Sequence, residues 1–468
     1  MLIMTMVSTF DVRHERMLNG IFAPIRRERD IDELEVIQGR IPDDLAGAYL
    51  RNGPNPRFTP VGSYTFPLDG DAMVHGVWFG DGRARYRNRF VRTPLMAAEE
   101  RAGHALLGGT HSGITLPFDD QCGEFVQAGR DAPFVHVIHH AGRYLALAES
   151  MPTYELTPDL GTVGPYDYGG VLSGGITAHP RIDAETGEMF VFRYGLEQPF
   201  LTWSAISPDG IAQPPRAIDV DAPYMIHDCV LTQNYFILFV CPVVVDLTGP
   251  RRGEAALQWH PDRGTRIAVI SRADGTVRWF TVDAFWVWHF VNAFETTADG
   301  GSSIAIDYPY WNHPGMGIAG DATTGGMARA RIDLQRGTVV IDQVDDQVAE
   351  FPRIDDRLIG RRNRYFHVLG KDRPALGEWN QLRRYDLITG SVAVRDTGSV
   401  KLGEAVFAPR SGSQDENDGY LLVYAYDPET LETNLLVLHA ADIAGEPAAT
   451  IAFPHRVPFG LHGSWIPD

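Results

Sequence analysis

The chain has 468 residues, 44% hydrophobic and 22% charged, with a formal net charge of −19. These are the proportions of an ordinary soluble globular protein able to bury a large core. The acidic balance argues against nucleic acid or an anionic membrane as an electrostatically held partner, and the absence of a run of about 18 apolar residues argues against a transmembrane helix.

From the N-terminus, Met1 to Phe10 carries apolar residues but no basic region and no cleavage-like site. It reads as a flexible or edge segment and not as a signal peptide. Flexibility is expected over residues 1–15. Next, His75-Gly-Val-Trp-Phe, Gly80-Asp-Gly and Arg83-Ala-Arg-Tyr read as strand, turn and strand. The best helical signal spans Thr93 to Leu107, where Leu95, Met96, Ala102 and Leu106 alternate with Glu99, Glu100 and Arg101. Beyond it, short β-like runs are punctuated at Ala141-Gly142, Thr186-Gly187, Asp209-Gly210, Asp274-Gly275, Asp299-Gly300, Arg336-Gly337 and Thr389-Gly390. Such dipeptides favour φ > 0 turns, and so hairpins. The 48 Gly and 31 Pro fit that density of turns. No shift in composition marks a boundary, so residues 1–468 are expected to form one all-β domain. A sandwich pair, a barrel or a propeller would satisfy the pattern. A propeller suits the length best, with seven four-stranded blades of roughly 65 residues each and degenerate repeats.

Three cysteines, Cys122, Cys229 and Cys241, make no disulfide framework and point to a reducing, cytoplasmic compartment. Of the 16 His, four sit in or beside apolar strand-like runs: Thr-Ala-His179-Pro, Met-Ile-His227-Asp, Trp-Val-Trp-His289-Phe and Gly-Leu-His462-Gly. Imidazole is the commonest metal ligand. Yet a half-buried, hydrogen-bonded histidine is commoner still, and no short zinc signature is present. The spacing alone does not select four rings from 16. A propeller would supply a meeting point, because its innermost strands converge on one axis.

The segments around these histidines carry more. Tyr49-Leu-Arg-Asn-Gly-Pro-Asn-Pro, Leu68-Asp-Gly-Asp-Ala-Met-Val-His, Ala141-Gly-Arg-Tyr-Leu-Ala-Leu-Ala-Glu149, Glu350-Phe-Pro-Arg-Ile, Gly403-Glu-Ala-Val-Phe-Ala-Pro-Arg410 and Pro458-Phe-Gly-Leu-His462-Gly occur in that order along the chain. With the histidine segments, the chain resembles the carotenoid cleavage oxygenases, which include apocarotenoid- and stilbene-cleaving dioxygenases. The resemblance implies a seven-bladed β-propeller capped by a dome of loops and short helices. It implies Fe(II) on the axis, held by His179, His227, His289 and His462. Glu149, Glu350 and Glu404 map onto the family's three glutamates, which hold the far nitrogens of metal-bound imidazoles. Their apolar flanks agree, since a buried carboxylate needs a partner. Glu295 is expected to have a structural hydrogen-bonding role.

Several positions depart from family patterns. Phe134-Val135-His136 stands where many members carry Asn-Thr-Asn, so Val135 gives a drier face and His136 could face the cavity. Ala148 stands where phenol-binding relatives carry lysine, and Thr110 aligns less securely with their tyrosine. Val135, His136, Ala148, Trp286, Phe290 and Phe459 are therefore the candidate pocket residues, with core packing the other reading for the aromatic ones. The expected reaction is cleavage of a conjugated C=C bond of a carotenoid or apocarotenoid by O₂. An aryl alkene of the stilbene, isoeugenol or vinylphenol type is the alternative. O₂-independent chemistry on the same scaffold and a metal-free binding propeller are the rivals. A peripheral membrane contact would use an apolar patch, for which Leu95, Met96, Leu106, Leu107 and Val243-Val-Val245 are candidates; packing against the dome is the other reading. A monomer or weak oligomer is expected.

Overall fold

In a computed structural model, residues 11–109, 130–246, 248–252, 254–296, 302–315, 324–371 and 377–468 are described. Thr110, Cys122 and the Asp299-Gly300 turn lie outside these residues. The chain is a seven-bladed β-propeller: five four-stranded and two five-stranded sheets, with one additional two-stranded ribbon, Val243–Val245 paired with Leu257–Trp259. All strand pairs between neighbours are antiparallel, as the hairpin pattern predicts.

Closure uses both ends of the chain. The first blade takes Gly47–Arg51, Met73–Gly80, Arg83–Phe90 and Arg29–Ile31 from the N-terminal region and completes its inner edge with Gly463–Pro467. The last blade, built from Lys401–Pro409, Gly419–Tyr426, Thr433–His439 and Ala449–Ala452, receives Glu35–Gly39 as its outer strand. Two interlocked sheets thus weld the ends, and no blade interface is left to separate alone.

Burial falls from the axis outwards. Tyr235–Val240 and Gly419–Tyr426 are buried along nearly their whole length, because neighbouring blades cover both faces. Outer strands such as Val392–Asp396 alternate between exposed and half-buried. This is the contrast expected between strands buried on two faces and strands buried on one. Separate apolar clusters fill successive blade interfaces. Phe190, Trp203, Phe236 and Ile270 form one; Ile138, Leu145, Met189 and Ile206 form another. Each such side chain contributes about 1.5–3 kcal/mol on full burial.

The turn chemistry holds locally. Asp81 and Gly82, at φ 51° and 67°, join Met73–Gly80 to Arg83–Phe90, and Ala141 and Gly142, at 51° and 73°, join His136–His140 to Arg143–Leu147. Two successive positive φ values make the turn whose twist matches a hairpin. The helix is shorter than the apolar spacing predicts. It runs Pro94–Ala102, with Thr93 Oγ1 accepting from the Met96 N–H and Gly103 ending it at φ 79°. Of the candidates for a lipid-facing patch, Leu95, Met96, Leu106, Leu107 and Val243 are buried, and Val244 and Val245 are half-buried. They pack against the fold, and the apolar spacing that suggested a membrane face is that of core residues. Among the described residues no helix is long and apolar enough to cross a membrane.

Candidate metal centre

Seven inner strands surround the axis, and each brings one polar side chain to the same end of it. His179 lies just before Arg181–Ile182, His227 before Cys229–Leu231, His289 before Asn292–Thr296 and His462 before Gly463–Pro467. Glu350 and Glu404 lie within Ala349–Arg353 and Lys401–Pro409, and His136 opens His136–His140. The four histidines occupy the turns into four inner strands, which explains their long, irregular spacing.

Their ligand nitrogens all lie within 4.8 Å of one another. His289 Nε2 is 3.2 Å from His227 Nε2 and 3.1 Å from His462 Nε2. His179 completes the ring, its centroid 4.6 Å from that of His462 and 4.7 Å from that of His227. Three of the rings turn their far nitrogens to carboxylates. His227 Nδ1 contacts Glu149 Oε1, His289 Nδ1 is 2.5 Å from Glu350 Oε2, and His462 Nδ1 is 2.9 Å from Glu404 Oε1.

That pattern fixes the chemistry. An imidazole donating its Nδ1 proton to a carboxylate presents a bare lone pair at Nε2. Three such lone pairs converge on the axis, and His179 Nε2 is buried with no hydrogen-bond partner. Lone pairs crowded this closely repel unless an electron-pair acceptor lies among them, so the donor set fits a metal cation. The proton affinities agree. Burial, then the neighbouring imidazoles, pushes His179 and His227 well below the ordinary histidine range. Burial outweighs Glu404 and lowers His462 as well. At His289 burial also acts downward, but the Glu350 carboxylate overcomes it and raises the pKa. The surroundings thus favour neutral, metal-ready imidazoles at His179, His227 and His462 and attract positive charge at His289.

The pairing of each carboxylate with its support is set by the fold. Tyr194 Oη donates to Glu149 Oε2 at 2.6 Å. Trp311 Nε1 donates to Glu350 Oε1 at 3.0 Å and the Phe351 N–H to Oε2 at 2.8 Å. Glu404 Oε2 accepts from the Gly463 N–H at 2.9 Å and pairs with Arg353 at 3.2 Å, and Arg353 and His462 hold its carboxyl well below the usual carboxylate range against the effect of burial. Both inner-strand glutamates sit at register shifts, between Glu350 and Arg353 and between Leu402 and Ala405. A bulge re-aims a side chain, and here it turns a carboxylate toward the ring; Phe351, at φ 52°, stacks on His289. Asp228, next to His227, ties a second ligand turn to the first: it accepts from the Phe290 N–H at 2.8 Å while Arg181 grips both its oxygens. Glu295 stands apart, accepting from Thr232 and Asn234 as a structural hydrogen-bonding group.

Below the ring a cavity of about 350 Å³ runs along the inner strands. It is lined by His136, His179, His289, Phe290 and His462, and further down by Ile138, Ile182, Arg181 and Arg353. Of the candidate pocket residues, His136 and Phe290 line it. Val135, Ala148, Trp286 and Phe459 are buried elsewhere: Val135 O accepts from the His462 N–H, Trp286 bridges to Trp311, and Phe459 packs on Phe22 and Tyr426. His136 is the fifth ring at the centre, 5.7 Å from His462 and 6.1 Å from His179. Burial, with the charge of His462, pushes it down to about 3, so it is a neutral donor at Nδ1 to Ala178 O, at 3.1 Å.

The comparisons with known proteins agree with this geometry. Residues 22–467 match the family described as retinal pigment epithelial membrane protein. A carotenoid cleavage oxygenase of Mycobacterium tuberculosis is 33% identical, covering 96% of this chain and 97% of that protein. An isoeugenol monooxygenase of Pseudomonas nitroreducens is 31% identical, covering 97% and 98%. The crystal structure of Pseudomonas brassicacearum lignostilbene dioxygenase superposes with a TM-score of 0.88 at 29% identity, covering 97% of this chain and 99% of that one. A propeller with four converging imidazoles and end-to-end likeness to these enzymes has one family placement: the chain belongs to the retinal pigment epithelial membrane protein family and is a carotenoid-oxygenase-like enzyme of the alkene-cleaving dioxygenase type.

Proposed function

We propose that His179, His227, His289 and His462 hold Fe(II), and that the protein cleaves one conjugated C=C bond of a carotenoid or apocarotenoid with O₂. The observation that carries this reading is the convergence of bare imidazole lone pairs, three of them backed by glutamates. The bound iron would supply O₂ binding and activation. The balance is simple: the C=C and O–O bonds break, two C=O bonds form, and both oxygen atoms enter the aldehyde or ketone products. No outside reductant and no net proton transfer are needed.

The chain's own residues have matching tasks. Glu149, Glu350 and Glu404 keep Nδ1 protonated and Nε2 free, and raise ligand basicity. None of the three is free to act as a general acid or base, since each is held by its imidazole and by a second donor. Ala148 stands where phenol-binding relatives carry lysine, and that absence of a cation supports a polyene over a phenol.

The second reading, cleavage of an aryl alkene, is favoured by the likeness to isoeugenol monooxygenase and lignostilbene dioxygenase. Incubation of the iron-loaded protein under ¹⁸O₂ with carotenoids, apocarotenoids, a hydroxystilbene and isoeugenol separates the two. Doubly labelled polyene aldehydes are expected. Turnover undiminished without O₂ would sink both readings, and labelled products from the aryl alkenes alone would sink the first.

A further inference from the structure

Five basic side chains meet at the rim of the first blade. Arg26, Arg27, Arg29, His455 and Arg456, with Ile25, line a cavity of about 290 Å³ that has no acidic residue in its wall. On a chain of net charge −19 this is a local reversal of sign. Its position is defined by strand register. One row of partners crosses the blade from Gly463 through Arg51, His75 and Asn88 to Arg29. Gly463 follows His462, so the basic cavity lies at the same end of the blade as the metal centre.

The local sequence Arg26-Arg-Glu-Arg-Asp30 looks self-neutralising, but the structure separates its charges. Arg27 and Arg29 face the cavity, while Glu28 and Asp30 between and beyond them turn to the neighbouring strand. Glu28 pairs with Arg92 at 2.9 Å and accepts from the Phe90 N–H. Asp30 pairs with Arg87 and, at 2.7 Å, with Arg89. The acids are thus taken up by the neighbouring strand. Asp71, whose charge acts on Arg26, is itself bonded to Arg130 and to the Arg57 N–H.

On the cavity side the donors lack acceptors. Arg456 reaches Pro24 O through Nη2 at 3.5 Å, while its Nη1 is buried without a partner. Both ring nitrogens of His455 are buried without partners. Burial first, then the charges of Arg29 and Arg456, pushes His455 down to about 4. Buried donors in folded proteins are ordinarily satisfied. Guanidinium forks match the oxygens of a phosphoryl group in two-pronged geometry.

We propose that Arg26, Arg27, Arg29, His455 and Arg456 form a binding site for a phosphoryl oxyanion, as free phosphate or as the headgroup of an anionic phospholipid. The site stands independently of the reaction at the iron centre.

The test uses the full chain and the double variant Arg27→Glu/Arg29→Glu, which reverses two exposed charges. Thermal unfolding is followed with inorganic phosphate against sodium chloride at equal ionic strength. Wild type should rise in Tm with phosphate and not with chloride, and the double variant should lose the rise. Arg456→Gln, which removes the buried unpartnered donor, should weaken it as well and serves if the double variant does not fold. Sedimentation with phosphatidylcholine vesicles, with and without phosphatidic acid, identifies the source. Binding confined to phosphatidic acid vesicles and displaced by free phosphate assigns the headgroup; a phosphate response without vesicle binding assigns the soluble ion. Equal responses to phosphate and chloride, or an unchanged response in the folded variants, would overturn the proposal.

Discussion

Three members of the histidine ring are held by one means and the fourth by another. His227, His289 and His462 each lean on a glutamate, which is locked by a tyrosine, a tryptophan or an arginine. His179 has no carboxylate among its hydrogen-bond partners. Its backbone is pinned instead: its N–H donates to Thr177 Oγ1 at 3.0 Å, its carbonyl accepts from Cys229 Sγ at 3.2 Å, and the preceding carbonyl accepts from His136 Nδ1. Carboxylate support tunes basicity and tautomer together, whereas backbone support sets position alone. A dication held by four imidazoles beside three carboxylates would have a modest formal net charge, and the one ring without a carboxylate would be its least basic ligand.

Removing a ring is the harshest way to break this comparison. His227→Ala should abolish metal binding, and His179→Ala should do the same despite the different support, as read by metal content of the purified proteins. Retention of full metal by His179→Ala would show that the ring works with three members. Removing a carboxylate's charge is milder. Glu350→Gln should weaken metal affinity by roughly 10–100-fold, the usual range for a group that orients a ligand, in competition with a chelator. An equal affinity would deny the carboxylates their role.

The His179 side responds through hydrogen bonding, not charge. His136→Ala should weaken metal affinity by less than about tenfold, since it removes the Nδ1–H bond to Ala178 O before His179 and the Nε2 contacts with Gly463 O and Ser464 Oγ after His462. His136→Asn, which can still donate to Ala178 O, should recover most of the loss. Identical behaviour of the two would point to lost packing as the cause.

A fourth experiment sharpens the contrast between buried histidines that converge and one that does not. His367 is buried with neither ring nitrogen partnered, and burial, helped by Arg384, pushes it down to about 3. Its folded pKa lies below its unfolded value of about 6.5, so the unfolded chain binds the extra proton between those limits. Stability from this residue is therefore present above about pH 6.5 and lost as pH falls towards 3, by up to about 1.4 kcal/mol per pH unit. His367→Asn should flatten the fall of denaturant stability over that window. An unchanged slope would mean that the ring is not buried in solution.

Much of this site was legible in the residues. The seven-bladed count follows from the length and the even hairpins, and the order of motifs singled out His179, His227, His289 and His462 with Glu149, Glu350 and Glu404. His136 stood out as a departure and lies at the centre. Less was legible where an apolar pattern has two uses. Leu95, Met96 and Leu106 carry the spacing of a lipid-facing helix and are core. Of the six candidates for a pocket wall, His136 and Phe290 line the cavity below the ring, while Trp286 and Phe459 pack elsewhere. The bonds of Tyr194, Trp311 and Arg353 had no local sign, although Arg353 lies in the Glu350-Phe-Pro-Arg-Ile segment, because each reaches its carboxylate from another blade or strand.

The sequence by itself determined the hairpins, the turns with positive φ and the set of imidazoles and carboxylates, since these depend on residue type and near neighbours. Only the tertiary structure decided which nitrogens face the axis, which carboxylates turn inward at a bulge, and which arginines of Arg26-Arg-Glu-Arg-Asp30 lose their acids to the next strand. Those outcomes depend on register and closure between residues hundreds of positions apart, where no local preference reaches.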